Sequence, residues 1–303
     1  MARKRTPPHQ SGFLVIDKPA KWTSHDVVGR VRRVMGERQV GHTGTLDPAA
    51  TGVLPVAVGH ATKLLPFIED TDKTYIATVR FGVVTDSGDR DGRLLAQPAA
   101  DHVTEAGVRA ALDRFRGEIG QVPPMHSAIK VGGRKLYDVA RSGGDIDVPV
   151  RRVYVHDIEL LEWEHPAATI RVSCSAGTYI RTIARDLGEA VGSGAMLSRL
   201  TRTKAGMFGL RQALSIHDLE ASLDCWGWPM VSLHPDAVLP DADLLILDEG
   251  EERRWFNGLP IERLAMTPVV RVYDSRREWT GIGLRDDDGV RIHPKRVVRA
   301  RSE

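Results

Sequence analysis

The chain has 303 residues, 42% of them hydrophobic and 27% charged, with a formal net charge of only +2. That balance fits a soluble globular protein of roughly two domains and excludes a disordered chain; no apolar run approaches the roughly 20 residues that span a bilayer, and too short an apolar core follows the basic start for a signal peptide, so a cytoplasmic location is expected. Cys174 and Cys225 cannot make a disulfide framework, neither sits in a CxxC pair and no histidines have HxxxH spacing, so no metal site is expected.

In chain order, FLVIDKP (13–19) reads as a short buried strand stopped by proline. TSHDVVGRVRRVMG (23–36) reads as a helix with Ser24 as N-cap and Val27, Val28, Val31, Val34 and Met35 on one face. GVLPVAVG (52–59) is a buried strand and HATKLLPFI (60–68) a short helix cut at Pro66. In KTYIATVRFGV (73–83), Tyr75, Ala77, Val79 and Phe81 point one way and Ile76, Thr78 and Arg80 the other, as in a half-buried strand. TDSGDRDG (85–92) is a polar turn, and VTEAGVRAALDRFRG (103–117) an amphipathic helix. Residues 121–150 mix prolines, glycines and cations with little apolar period. They read as a long mobile loop with a helical turn or so, a length that is usually functional or disordered. RRVYVHDIELLEW (151–163) and ATIRVSCSAG (168–177) are strands, and TYIRTIARDLGEAVG (178–192) is a helix closed by Gly192. Strands and helices without a βαβ rhythm give an α+β domain.

A composition break follows at 233–245. Asp248, with Glu251 three residues on and Gly258 as a stop, opens a short helix. Three short strands (269–274, 278–286, 289–298) complete a β-rich module of roughly sixty residues. The expected domains are 10–235 and 240–303. Cations cluster at Arg3, Lys4 and Arg5, at Lys295, Arg296, Arg299 and Arg301, and in the segments 130–144 and 197–206. Such patches suit a polyanion-binding face, although on charge alone ordinary surface solvation is the stronger reading.

The stretch GHTGTLDPAATGVLPVAVG (41–59) surrounds one carboxylate, Asp47, with glycines and threonines. No lysine follows its glycines, so it is not a P-loop, and it lacks GxGxxG. A paired-carboxylate hydrolase needs a second acid, which the local sequence does not supply. A lone carboxylate acting as nucleophile or base is compatible. Pro48 holds Asp47 extended, and small neighbours let a bulky substrate approach. An ordinary Asp-Pro turn fits better on spacing alone.

GHTGTLDPAATGVLPVAVGHATKL (41–64) resembles the signature of the TruB family of tRNA pseudouridine synthases. DKPAKWTSHDVV, KTYIATVRFG, PPMHSAIKVGGRKLYDVARSG, CSAGTYIRTIARDLG and LSRLTRT resemble further family segments and stand in family order, covering roughly residues 12 to 210. Lys21 stands where the family commonly has glycine, away from the expected reaction centre. The resemblance implies an α+β pseudouridine synthase catalytic domain, with a mixed or antiparallel sheet and flanking helices. It also implies a small β-rich, PUA-like RNA-binding domain, carried by FNGLPI (256–261) and GIGLRDDDGVRIHPKRVV (281–298).

It implies isomerisation of the T-loop uridine of tRNA (position 55), flipped out of its loop. Asp47 is the group that acts on the nucleoside, by adding to the ribose, adding to the base or removing the 2′ proton. Arg181 pairs with Asp47, and Tyr75 stacks on the base and assists the late proton transfer. His42 fills the space left by flipped bases, and Tyr179 and Leu200 line the uracil pocket. Lys130, Arg134, Lys135 and Arg141 belong to an RNA-binding thumb at about 123–150. TDSGDRDG also resembles a family turn, with Asp89 as a secondary candidate for helping the site. An isomerisation calls for no cofactor and no metal. The expected partner is the T-arm of tRNA, and nothing demands more than a monomer. A tRNA-folding chaperone role is compatible with the enzyme. The archaeal and eukaryotic branch that works with guide RNA is disfavoured by the short C-terminal module.

Overall fold

The structure is a computed structural model that describes residues 10–124, 130–131, 134–135 and 148–298. Its apolar, β-branched runs form β1 (Gly12–Lys18), β2 (Val40–His42), β3 (Thr51–Val58) and β4 (Lys73–Phe81), with α1 (Ser24–Met35) after β1 and a 3-10 helix (Gly59–Phe67) after β3. The short pair β5 (Val84–Thr85) and β6 (Leu94–Ala96) precedes α2 (Glu105–Leu112) and β7 (Gly117–Gln121). β8 (Lys130–Val131) pairs with β9 (Arg134–Lys135). Then come β10 (Arg151–Glu164), β11 (Ala167–Cys174), α3 (Ile180–Ala190), β12 (Ala195–Ala205), β13 (Phe208–Gly209), α4 (Ile216–Trp226) and α5 (Trp228–Val231). The C-terminal part holds β14 (Asp243–Ile246), α6 (Glu249–Phe256), β15 (Ile261–Glu262), β16 (Val269–Tyr273), β17 (Trp279–Arg285) and β18 (Arg291–Val297).

Among the described residues, nine strands build one mixed sheet in the order β1-β3-β12-β4-β11-β10-β7, with β2 beside β3 and β13 beside β12. The β3–β12 pair is parallel, through Thr51↔Thr201 and Gly52↔Arg202, whereas β12 runs antiparallel to β4. The fold is α+β.

Burial explains the strand sequences. β1 and β3 are covered on both faces: Leu14, Ile16, Leu54 and Val56 meet α1 and α4 through Val27, Val31 and Leu219. Phe13, Val15, Val53 and Ala57 meet Phe208, Trp279 and Ile282 on the other side. Covered on both faces, their sequences read as unbroken apolar runs. β4 is covered on one face and alternates, with Tyr75, Ala77, Val79 and Phe81 packed with Ile180, Ile183 and Leu187 of α3. Gly188 lets α3 touch the start of β12; a Cβ there would lie 2.2 Å from the Ala195 amide nitrogen.

Three local readings change. Thr23, not Ser24, caps α1, in a capping box with Asp26. Pro66 lies inside the 3-10 helix and does not cut it. The cationic segment 197–206 largely forms β12, whose register shifts at Leu197/Arg199 and Arg202/Lys204 break simple alternation. Arg199 and Lys204 are exposed, but Arg202 is 1% exposed and belongs to the interior, not to a cationic surface.

In the C-terminal part, Asp248 and Glu251 form the expected capping box. A five-stranded sheet, ordered β14-β16-β17-β18-β15, holds the three expected strands together with β14 and β15. Its Trp279 and Ile282 pack against β1 and β3. Lys63 Nζ donates to the Val297 carbonyl at 2.6 Å, a second tie between the two sheets.

Candidate active site

Asp47 lies in the turn between β2 and β3, and this turn is tied down on both sides. Ser24 Oγ, freed from capping, accepts from the Leu46 amide at 3.0 Å and donates to the Leu46 carbonyl at 3.3 Å. The Pro48 carbonyl accepts from the Lys21 amide at 2.7 Å and from Lys18 Nζ at 3.3 Å. The Asp47 carbonyl accepts from the Ala50 amide at 3.0 Å. Lys21 therefore touches the Asp47 turn through its backbone, a correction to its expected remoteness. It does so at φ +69°, in the region that favours the glycine it replaces.

The first turn of α3 delivers Arg181, whose side chain is 7% exposed. Arg181 Nη2 stands 3.1 Å from Asp47 Oδ2, and Nη1 stands 3.6 Å from Asp89 Oδ2. Nη1 also donates to the Ser87 carbonyl at 3.2 Å. One guanidinium thus bridges two carboxylates more than forty positions apart in sequence, so Asp89 does belong to this cluster. Asp89 is held by Ser87 Oγ at 2.6 Å and by the Asp91 amide at 3.1 Å. Its turn is clipped to β12, the Arg90 amide donating to the Leu197 carbonyl at 3.1 Å and the Leu197 amide to the Gly88 carbonyl at 3.0 Å.

The Asp47 side chain keeps 44% of its surface open. The crowding of the rest pushes its carboxyl above the ordinary range, Arg181 pulls it down, Asp89 pushes it up again and Lys18 pulls it down. An ionised carboxylate made more basic than usual and steered by a fixed cation can attack or deprotonate a substrate.

Lys18 is fully buried at the end of β1. Its three donors go to the carbonyls of Pro19 at 2.9 Å, Trp22 at 2.6 Å and Pro48 at 3.3 Å. Burial lowers its pKa to about 8, while Asp47 pulls it back up.

Tyr75 is 9% exposed on β4 and lies opposite Arg202, its register partner on β12. Burial pushes the Tyr75 phenol up and Arg202 pulls it down. Arg202 also donates from Nε to the Val53 carbonyl and from Nη2 to the Gly44 carbonyl, each at 2.8 Å. Leu200, two residues earlier, is half-buried against the core that contains Leu46 and Tyr75. Tyr179 caps α3 through its backbone, and Gln121 brackets it: Oε1 accepts from the Tyr179 amide at 2.9 Å and Nε2 donates to its carbonyl at 3.2 Å. His42 packs edge-on against His25, ring centroids 5.4 Å apart, and its buried Nδ1 makes no hydrogen bond. Burial, with His25 and Arg202 adding to it, lowers the His42 pKa to about 4 and keeps the ring neutral near neutral pH.

The structure thus joins Asp47 to Arg181 directly and sets Tyr75 and Leu200 in the core behind the Asp47 turn. Lys130, Arg134 and Lys135 stand on the β8–β9 pair; Arg141 lies outside the described residues, as do Arg3, Lys4, Arg5, Arg299 and Arg301. Lys18, Ser24, Gln121 and Arg202 were missed in the sequence. The signal for Lys18 was a cation two residues past the apolar run FLVI, within the same strand. Among the described residues no group of three or more His, Cys, Asp or Glu is placed to hold a metal ion. No helix among them is long and apolar enough to cross a membrane.

Comparison with known proteins identifies the family. The family model described as TruB family pseudouridylate synthase (N terminal domain) matches residues 32–180. A tRNA pseudouridylate synthase B C-terminal domain model matches 181–233, and one described as pseudouridine synthase II TruB, C-terminal, matches 245–298. A protein of Gloeobacter violaceus named tRNA pseudouridine synthase B is 47% identical over 251 residues, 82% of this chain and 85% of that protein. One of the same name from Acaryochloris marina is 42% identical over 292 residues, 95% of this chain and 99% of that protein. A chain of the solved "Structure of H/ACA RNP bound to a substrate RNA containing 2'-deoxyuridine" superposes with TM-score 0.72 at 22% identity, covering 96% of this chain and 86% of that one; that likeness is one of fold. The chain belongs to the TruB family of pseudouridylate synthases.

Proposed function

We propose that the protein converts the T-loop uridine of tRNA into pseudouridine, with Asp47 as the reacting group. The bond between ribose C1′ and uracil N1 breaks, C1′ joins C5, the C5 proton leaves and N1 gains one, so no oxidant, reductant or energy source is called for. The observation that carries this reading is the Asp47 carboxylate, fixed by a buried guanidinium yet open on one side to a substrate. Arg181 keeps the carboxylate ionised and aimed, and Tyr75 stacks on the base and passes its proton. Tyr179 and Leu200 line the uracil pocket, and His42, a neutral ring, fills the space that the flipped base leaves.

The tRNA substrate is supported by relatives named tRNA pseudouridine synthase B at 42–47% identity; the T-loop target rests on the sequence signature around Asp47. In this reading the chain is a cytoplasmic monomer of two domains. Residues 10–235 form the catalytic domain, with a thumb at 123–150, and residues 240–303 a PUA-like RNA-binding domain.

Incubation with an unmodified tRNA transcript, without added cofactor, followed by pseudouridine mapping, is expected to show product at the T-loop uridine. Absence of product with folded, tRNA-binding protein would overturn the reading. Neutralising Lys130, Arg134, Lys135 and Arg141 together is expected to weaken tRNA binding and flatten its salt dependence. An unchanged salt slope would remove the thumb from the RNA interface.

A further inference from the structure

Gln121 is a buried polar side chain that the proposed chemistry leaves unused. It ends β7 and is 1% exposed. Its amide meets the backbone of a single residue, Tyr179: Oε1 accepts from the amide at 2.9 Å and Nε2 donates to the carbonyl at 3.2 Å. One residue on, the Val122 carbonyl accepts from Thr182 Oγ1 at 3.3 Å. Three bonds thus stitch the end of β7 to the first turn of α3, across 58 to 60 positions of sequence.

The start of α3 needs such a clamp. A helix leaves its first amides without partners inside the helix, and a Ser, Thr, Asp or Asn at the N-cap normally takes one of them. Here the N-cap is Tyr179, whose side chain makes no capping bond. The Tyr179 carbonyl accepts the first intrahelical bond, from the Ile183 amide at 3.2 Å, and the same carbonyl is held by Gln121. A primary amide offers an acceptor and two donors in one plane. It can therefore grip the N–H and the C=O of one residue together, as a neighbouring strand does. An apolar side chain in its place would release the Tyr179 amide.

This turn carries two residues of the site. Tyr179 is the clamped residue itself, and Arg181, two positions on, reaches Asp47 at 3.1 Å. The Arg181 side chain is long, so a small rotation of the helix start moves its guanidinium further than the backbone. Misplacing a group of the site by about 1 Å can cost about a hundredfold in rate, and supporting hydrogen bonds of this kind hold such groups in place. We propose that Gln121 is a positioning residue for the isomerisation: it fixes the first turn of α3, and through it holds Arg181 on the Asp47 carboxylate and Tyr179 at the uracil pocket. The proposal rests on the reading of the chain as a tRNA pseudouridine synthase. Arg181, Asp89 and Lys18 are the charged groups that act on Asp47; of these, Arg181 stands on the turn that Gln121 holds.

The test is single-turnover isomerisation of unmodified tRNA transcript as a function of pH. Gln121→Met keeps the volume and loses both bonds. It is expected to slow the reaction about tenfold or more, with tRNA affinity, measured in an Asp47→Asn background, within about twofold of its parent. Arg181 pulls the Asp47 carboxyl down, so a displaced Arg181 lets it rise. The acid limb of the pH–rate profile is therefore expected to move to higher pH in Gln121→Met. Gln121→Glu is the conservative variant. Protonated, its carboxyl offers the same acceptor and donor; ionised, it only accepts. It is expected to outpace Gln121→Met at low pH and to lose that advantage as pH rises. Ile282→Ala, in the second sheet, controls for stability: while folded it is expected to react at the wild-type rate.

Where Gln121→Met does not fold, Gln121→Glu carries the test, through a rate that falls with rising pH where that of the wild type does not. A folded Gln121→Met with the wild-type rate overturns the proposal. So does a slowed variant whose acid limb stays in place, since Arg181 then holds Asp47 without Gln121, and so does a loss confined to tRNA affinity. Wild-type protein that makes no pseudouridine overturns the parent reading instead. Active wild-type protein with equally active Gln121 variants sinks only this proposal.

Discussion

Asp47 is a residue the fold would sooner hold uncharged. Its folded-state pKa is raised, chiefly by burial and only in part offset by Arg181. The folded protein therefore holds this proton more tightly than the unfolded chain does. The associated stability is fully present below the ordinary carboxylate pKa and is lost as pH rises through the raised value. Asp47→Asn escapes that loss. Its melting temperature at about pH 8 is expected to equal or exceed that of wild type, the gap closing toward about pH 4, while product formation falls at least about a thousandfold. A clear drop in melting temperature at the higher pH would show that the Arg181 pair outweighs burial. Lys21 is the opposite case, a side chain where the backbone favours none. Its φ of +69° costs an L-residue about 1 kcal/mol or more, which glycine avoids at some cost in chain entropy. Lys21→Gly is expected to raise stability by about 0.5 kcal/mol in denaturant titrations with an unchanged m-value. A lower midpoint would mean that the lysine side chain makes up for its backbone.

At the scale of elements, the site depends on β3 and β12 running in parallel beside β4. Gly52 permits that approach: at φ +99°, a Cβ would lie 2.2 Å from the Arg202 carbonyl oxygen and 2.9 Å from the Arg202 amide nitrogen, with no flexible atom to give way. Gly52→Ala is expected to cost at least about 3 kcal/mol, and to loosen the bond from Arg202 to the Val53 carbonyl with it. Equilibrium unfolding checks this, and a loss under about 1 kcal/mol would show that the strands can part without harm. The elements also differ in how legible they are. β4 buries one face, so its period of two stands out in KTYIATVRF. β12 carries two register shifts, so its exposed Arg199 and buried Arg202 look alike in sequence.

At the scale of the whole molecule, the two sheets share apolar packing. Phe13, Val53 and Ala57 from the first sheet meet Trp279 and Ile282 from the second. Ile282 has no exposed surface, so Ile282→Ala is expected to cost about 2–4 kcal/mol. Calorimetry is expected to show one transition, moved to lower temperature as a unit. Two separated transitions would mean that the sheets unfold independently. This packing was not visible in the sequence, because an apolar residue at a strand position does not say which sheet will cover it.

By itself the sequence determined the strand and helix types with strong periodicity, the α+β class and, through ordered motifs, the family. Local sequence made Asp47, a lone carboxylate in a loop of small residues, only a candidate, and it was the resemblance of the ordered motifs that implied its role. Tertiary structure decided the rest. Arg181 joins Asp47 to Asp89, Ser24 serves the Asp47 turn instead of capping its helix, and Lys18 and Arg202 spend their charges inside the protein. Apart from the bonds of Lys18 to Pro19 and Trp22, these are contacts between residues tens to more than a hundred positions apart. Their formation depends on strand order and register, which local propensity and spacing do not encode.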